Sequence, residues 1–180
     1  MLSALQPLDV NVVTWVTEFY TYRKAMMDCL RAIAAAADAP ERRRYMHVQM
    51  IYMQFLMFES ARRAIGVLVE FEPNRAESLV NILCSELVVY GFLAQTFPAD
   101  DYRGARLQLR MREYQEVVPA LYRRITEGAH PTNWDRARTT APEMMRRYRV
   151  MCEELSASPR ADLAVAVVGP APVATQVNVA

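Results

Sequence analysis

Glycine is scarce in this chain, with five among 180 residues and no two adjacent. So few glycines leave little room for the two-residue turns of an all-β protein or for glycine-rich phosphate loops. Three cysteines, Cys29, Cys84 and Cys152, lie far apart with no CxxC spacing. Neither a zinc site nor a disulfide framework is indicated, and they read as small buried thiols of a reducing, intracellular compartment. Histidine occurs twice, at His47 and His130. Glu127 and His130 have the E-x-x-H spacing of helical di-iron sites, but the motif occurs once and Gly128 falls inside it, so no metal is expected. No Ser-His-Asp set, P-loop or GxGxxG can be assembled, so neither an enzyme nor a cofactor is expected. The N-terminus lacks the basic-then-apolar pattern of a signal peptide. Charged or polar residues interrupt the apolar stretches before the roughly 20 residues of a membrane span, so no membrane partner is expected.

Lysine is nearly missing: of 21 basic residues only Lys24 is not arginine. Arginine suits bidentate contacts to phosphate or carboxylate, although a GC-rich coding sequence produces the same bias. Net charge is +1, too small for a global field that steers the chain to nucleic acid or anionic lipid. The basic excess is local. Residues 98–149 carry 11 basic and 7 acidic groups, whereas residues 1–97 carry 9 and 10.

Apolar residues make up 53% of the chain and charged residues 23%. Their spacing predicts an all-α bundle of about five helices with a central apolar hairpin, over residues 9–156. An extended N-terminal arm (1–8) and a low-complexity Pro/Ala/Val tail (157–180) flank it. Val12, Val16, Phe19, Met26, Leu30 and Ile33 recur at helical steps and predict one buried face on a first helix, capped at Asp9 or Asn11 and reaching Ala37. Asp38-Ala39-Pro40-Glu41 is a stop-and-restart signal. The second helix, Pro40 to Glu70, has no charge between Tyr45 and Phe58. The third, Asn74 to Phe97, is apolar around most of its circumference. A fourth helix, capped at Asp100 or Asp101, runs to Glu127 through a bend at Pro119, with Gly128 at its end. A short fifth segment from Thr132 or Asn133 and a last helix capped by Thr140 with Pro142 in its first turn complete the chain.

Helices apolar on every side must be surrounded, and two of them exceed what a small bundle hides. Met50, Met53, Met57, Leu87 and Phe92 are therefore candidates for self-association, since a few exposed side chains of this size on adjacent turns drive it. Arg42, Arg43 and Arg44 crowd a helix N-terminus, where the dipole disfavours cations. Arg103, Arg106 and Arg110 share a face of the fourth helix. These six arginines are candidates for nucleic-acid phosphate, RNA or DNA. The bland alternative is a solvated face laced by Arg110–Glu113 and Arg112–Glu116 pairs. Glu59 and Glu86 fall at one height of an antiparallel hairpin, where they could hold a metal or share a proton. With Arg62 and Arg63 one turn away, carboxylate–guanidinium bridges inside the bundle are the expectation. Trp15 and Trp134 read as core or interface anchors.

Together these features predict a self-assembling structural subunit of coat or nucleocapsid type, as in a virion. It would pack through its apolar helices and wrap neighbours with arm and tail. The alternative is a helical interaction module or regulator that holds a partner helix in an apolar groove.

Overall fold

A computed structural model describes residues 10–36, 38–98, 100–128 and 134–157. The N-terminal arm, His130, the proposed start at Thr132 or Asn133 and the tail from residue 158 lie outside the described residues. Five α-helices make up the fold, with no strand among the described residues: α1 (Val10–Ala35), α2 (Pro40–Phe71), α3 (Ala76–Thr96), α4 (Tyr102–Glu127) and α5 (Asp135–Ala157). A 3₁₀ turn, Pro73–Arg75, joins α2 to α3. The chain is an all-α helical bundle.

Punctuation residues set most boundaries. Pro40 occupies the first turn of α2, where its missing N–H costs nothing. The Asp101 side chain accepts the Arg103 backbone N–H at 2.7 Å and caps α4. Gly128 ends α4 in an extended conformation, φ −73° and ψ 143°, which any residue adopts, so the freedom of glycine is not used there. The helix runs on through Pro119 to Glu127, as its sequence predicts. Pro142 behaves differently from a sequence-based reading: the separate fifth segment and last helix predicted around Thr140 are one continuous α5 with Pro142 inside it. Thr140 is no cap, because its hydroxyl donates to the Arg136 carbonyl at 2.9 Å within the helix. Each proline omits one helical hydrogen bond. Packing outweighs that loss at Pro142, since Ala137, Ala141 and Met144 on its inner face are fully buried.

Short connections make consecutive helices antiparallel neighbours. α3 lies at the centre, against α2, α5 and α4, while among the described residues α1 packs closely on α2 alone. Phe55, Val80, Leu83, Leu87, Tyr90, Leu93, Leu107, Met111, Tyr114 and Met144 form a closed core. The Tyr90 hydroxyl donates to the Leu107 carbonyl at 2.9 Å, satisfying both buried groups and pinning α3 to α4. Trp134 is buried, with the Arg124 guanidinium 5.4 Å from its ring centre. By length and composition α3 could cross a membrane, with only Glu77 and Glu86 charged. Its core-facing residues and Glu86 are buried inside the bundle instead.

The register of the α2–α3 hairpin follows from its cross-contacts. Arg62 meets Glu86, Phe55 meets Tyr90, and Tyr52 meets Phe97 just past the end of α3. The first dozen residues of α2, Pro40 to Ile51, therefore run about 18 Å beyond α3. None of them is buried, although Val48 and Ile51 pack against the edge of the core.

Candidate functional site: an ion-pair layer and two apolar faces

α2 and α4 flank α3 without packing closely on each other, and long charged side chains bridge the gap between them. Glu59 on α2, 2% exposed, meets Arg63 at 3.2 Å, Arg106 at 3.3 Å and Arg110. Glu86 on α3 is fully buried; it accepts from Arg62 Nε at 2.8 Å and from the Tyr114 hydroxyl at 2.7 Å. Glu113 on α4 accepts from Arg62 at 2.8 Å and from Arg110. The layer thus joins four guanidiniums to three carboxylates. Nε of Arg106 and Nε of Arg110 are buried with no protein acceptor, as expected where cations outnumber acids.

Burial pushes the Glu86 carboxyl up from its ordinary value, against the pull of Arg62 and the Tyr114 hydrogen bond. Burial also pushes Glu113 up, but Arg62 and Arg110 outweigh it and hold that carboxyl below the usual range. Burial lowers Arg62, yet Glu86, Tyr114 and Glu113 more than compensate, so it stays protonated. The Tyr114 phenol is pushed well up, first by burial and then by Glu86. Such a layer positions helices. A charge buried here is tolerable only while every partner is in place.

This arrangement corrects the arginine stripe. The α4 face expected to meet phosphate turns inward. Arg106 and Arg110 are engaged by Glu59 and Glu113, and Arg103 stacks 4.0 Å from the Phe97 ring centre while its guanidinium pairs with Asp101 at 2.7 Å. The physical reason is that Glu59, buried on α2, lies within reach of Arg106 and Arg110 across the gap, and Glu113 on α4 itself holds Arg110. Arg42, Arg43 and Arg44 are exposed at the start of α2. Glu59 and Glu86 do form the anticipated bridges with Arg63 and Arg62, and Arg110–Glu113 forms as its spacing predicts. No group of three or more His, Cys, Asp or Glu that could hold a metal occurs among the described residues.

The apolar candidates divide. Met50, Met53 and Met57 are half-buried. Leu87, 1% exposed, belongs to the core and offers little outer surface, a correction that follows from α5 covering that side of α3. Phe92 is 47% exposed, beside Val88 at 57% and Val150 of α5. These three residues, with Gly91 and Met151, line a cleft of about 640 Å³ between α3 and α5, rimmed by Arg146, Arg147 and Glu154.

The second apolar face was only half legible. Val12, Val16, Phe19, Met26, Leu30 and Ile33 read as one buried stripe, but Val16 and Leu30 are exposed. α1 carries two parallel seams. Val12, Trp15, Phe19, Tyr22, Met26, Cys29, Ile33 and Ala36 recur at steps of three and four and are buried or half-buried; here the Glu18 carboxylate accepts from the Ser60 hydroxyl at 3.2 Å. One residue further on, Val13, Val16, Tyr20, Arg23, Met27, Leu30 and Ala34 repeat the same steps and are all exposed. Trp15 also closes a small cavity with Arg62, Arg63, Val117 and Leu121. The cysteines Cys29, Cys84 and Cys152 are free thiols.

Comparison with protein-family models, curated proteins and solved structures finds no match for this chain.

Proposed function

We propose that the chain is a self-associating structural subunit of coat or nucleocapsid type, in which apolar helix faces uncovered within one copy are covered by further copies. The observation that carries this reading is the exposed apolar seam on α1, a helix with a single close helical partner among the described residues. Val13, Val16, Tyr20, Met27 and Leu30 are 41–60% exposed along it. Scattered exposed hydrophobic residues are ordinary, whereas a contiguous run marks an interaction surface. Phe92 and Val88 on α3 supply a second such face.

Contact with nucleic-acid phosphate falls to Arg42, Arg43 and Arg44, because the three α4 arginines are occupied by acids or by Phe97. Sedimentation across a wide concentration range tests the central reading, and large or concentration-dependent species are expected. A clean monomer at the highest concentration overturns it. Titration with single-stranded RNA at two salt concentrations tests the phosphate contact, which must weaken steeply with salt. The cleft between α3 and α5 favours a second reading, a helical module that holds a partner helix. That reading predicts a monomer or dimer that binds a peptide and ignores nucleic acid.

A further inference from the structure

Building on the self-association reading, we infer that α1 pairs antiparallel with α1 of a second copy, in the register that sets Arg23 of each copy against Tyr20 of the other. Arg23 is the one charged residue in the exposed seam, and Tyr20 is the seam position next to it. They straddle the midpoint between Val13 and Leu30. An antiparallel partner with the same sequence therefore brings Val13 opposite Leu30, Val16 opposite Met27 and Tyr20 opposite Arg23, each twice. The seam is its own complement over 18 residues, about 27 Å of helix. A guanidinium over a tyrosine ring is attractive, so the cation that interrupts the apolar run becomes a register marker.

Alternatives do worse on charge. A parallel pair sets Arg23 against Arg23. An antiparallel shift of one heptad in one direction sets Arg23 against Met27 and brings the two Lys24 ammonium groups together. The shift in the other direction sets Arg23 against Val13 and carries Met27 and Leu30 past the start of α1 at Val10. In the inferred register the flanking Lys24 faces Thr17 and Arg31 faces Val10, so no like charges meet. One helix pair of this length falls below the size of a standard stable interface, so it sets orientation within a larger assembly or forms a concentration-dependent dimer.

Disulfide trapping tests the register. In a background with Cys29→Ser and Cys152→Ser, the pair Val16→Cys and Met27→Cys is oxidised mildly and run on a non-reducing gel. A linked dimer is expected from the double variant, and from a mixture of the two single variants, but not from either alone. Thr14→Cys with Asp28→Cys, on the outward side of α1, is expected to link far less. Arg23→Glu is expected to weaken association about tenfold with helix content unchanged. Self-association that persists without the Val16–Met27 link, or that links better through positions 14 and 28, overturns the register and leaves the broader reading standing. A monomer at every concentration overturns both.

Discussion

Replacing Glu59 by glutamine tests the ion-pair layer most directly. The change keeps the shape and removes the charge that faces Arg63, Arg106 and Arg110. Stranding a buried cation costs about 3–5 kcal/mol, and three partners would suggest a sum several times larger. Exposure decides against that sum. The side chains of Arg63 and Arg106 are 31% and 39% exposed and can turn toward water, whereas Arg110 at 11% cannot. Arg110 keeps Glu113 as its one remaining acid, so one partly compensated cation is the right count, and the lower end, about 3 kcal/mol, is expected. For a chain of this size that is a fall of about 6–12 °C in Tm. Thermal melts followed by circular dichroism at 222 nm provide the assay. Arg31→Ala, which removes an exposed pair with Asp28, serves as control and should change stability by less than about 0.5 kcal/mol. Raising salt to about 1 M, where the Debye length is about 3 Å, should leave the Glu59→Gln deficit largely intact. Adding Arg110→Gln should recover part of it, because the cation left with Glu113 alone is then gone. A loss below about 1 kcal/mol, or strict additivity with Arg110→Gln, would refute the view that α2 and α4 are joined through a buried charge layer.

Stability should fall as pH drops from about 4.5 toward 2. Asp101 is held at about 2 by its hydrogen bonds with Arg103, and Glu143 at about 2 by Arg146 and Arg147; Glu113 is also depressed. Carboxyls lowered in the folded state contribute stability above their unfolded values and lose it through their folded ones. Glu86 has the opposite sign and acts above about 4.5, because its raised carboxyl takes up a proton more readily when folded, so Glu86→Gln should remove a gain in stability on the approach to pH 4.5 from above, while Glu113→Gln flattens the acid loss below it in Tm-versus-pH curves. Gly66→Ala should raise stability by about 1 kcal/mol, since a Cβ there meets nothing within 4 Å inside α2; a lower Tm would contradict that packing. Leu83→Ala, at a fully buried core position, should cost about 2–5 kcal/mol in urea unfolding.

Helix count and most boundaries were legible because their signals are local: Pro40, the Asp101 cap and the apolar periodicity each act within a few residues. The bridges of Glu59 and Glu86 were legible too, since hairpin register can be counted from the turn. The direction of Arg106 and Arg110 was not, because a stripe of arginine at helical spacing looks the same whether acids or water lie opposite. Only the placement of α4 across α3 from α2 decides it. Thr140 failed as a cap for a related reason: Thr-x-Pro-Glu is a sound local start signal, and tertiary packing of Ala137, Ala141 and Met144 overrode it.

The two seams of α1 carry the larger lesson. A periodicity search asks whether apolar residues recur at three and four, and it merges two adjacent stripes into one broad face. A helix at the edge of a bundle needs one seam to hold to its neighbour, and α1 uses the series from Val12 to Ala36 for that. The second series is exposed among the described residues, yet it keeps Val13, Val16, Met27 and Leu30 at seam positions, where polar residues would solvate the helix better. The first dozen residues of α2 present the same imbalance, a run without charge from Tyr45 that projects past the end of α3 and stays half-covered. Burial of one further Leu, Met or Phe is worth about 1.5–3 kcal/mol, so completing the cover of a few such side chains on each copy outweighs the ordering of a flexible surface. In a helix with one close neighbour, surplus periodicity is therefore an argument about other molecules, and it locates the surface at which they should be sought.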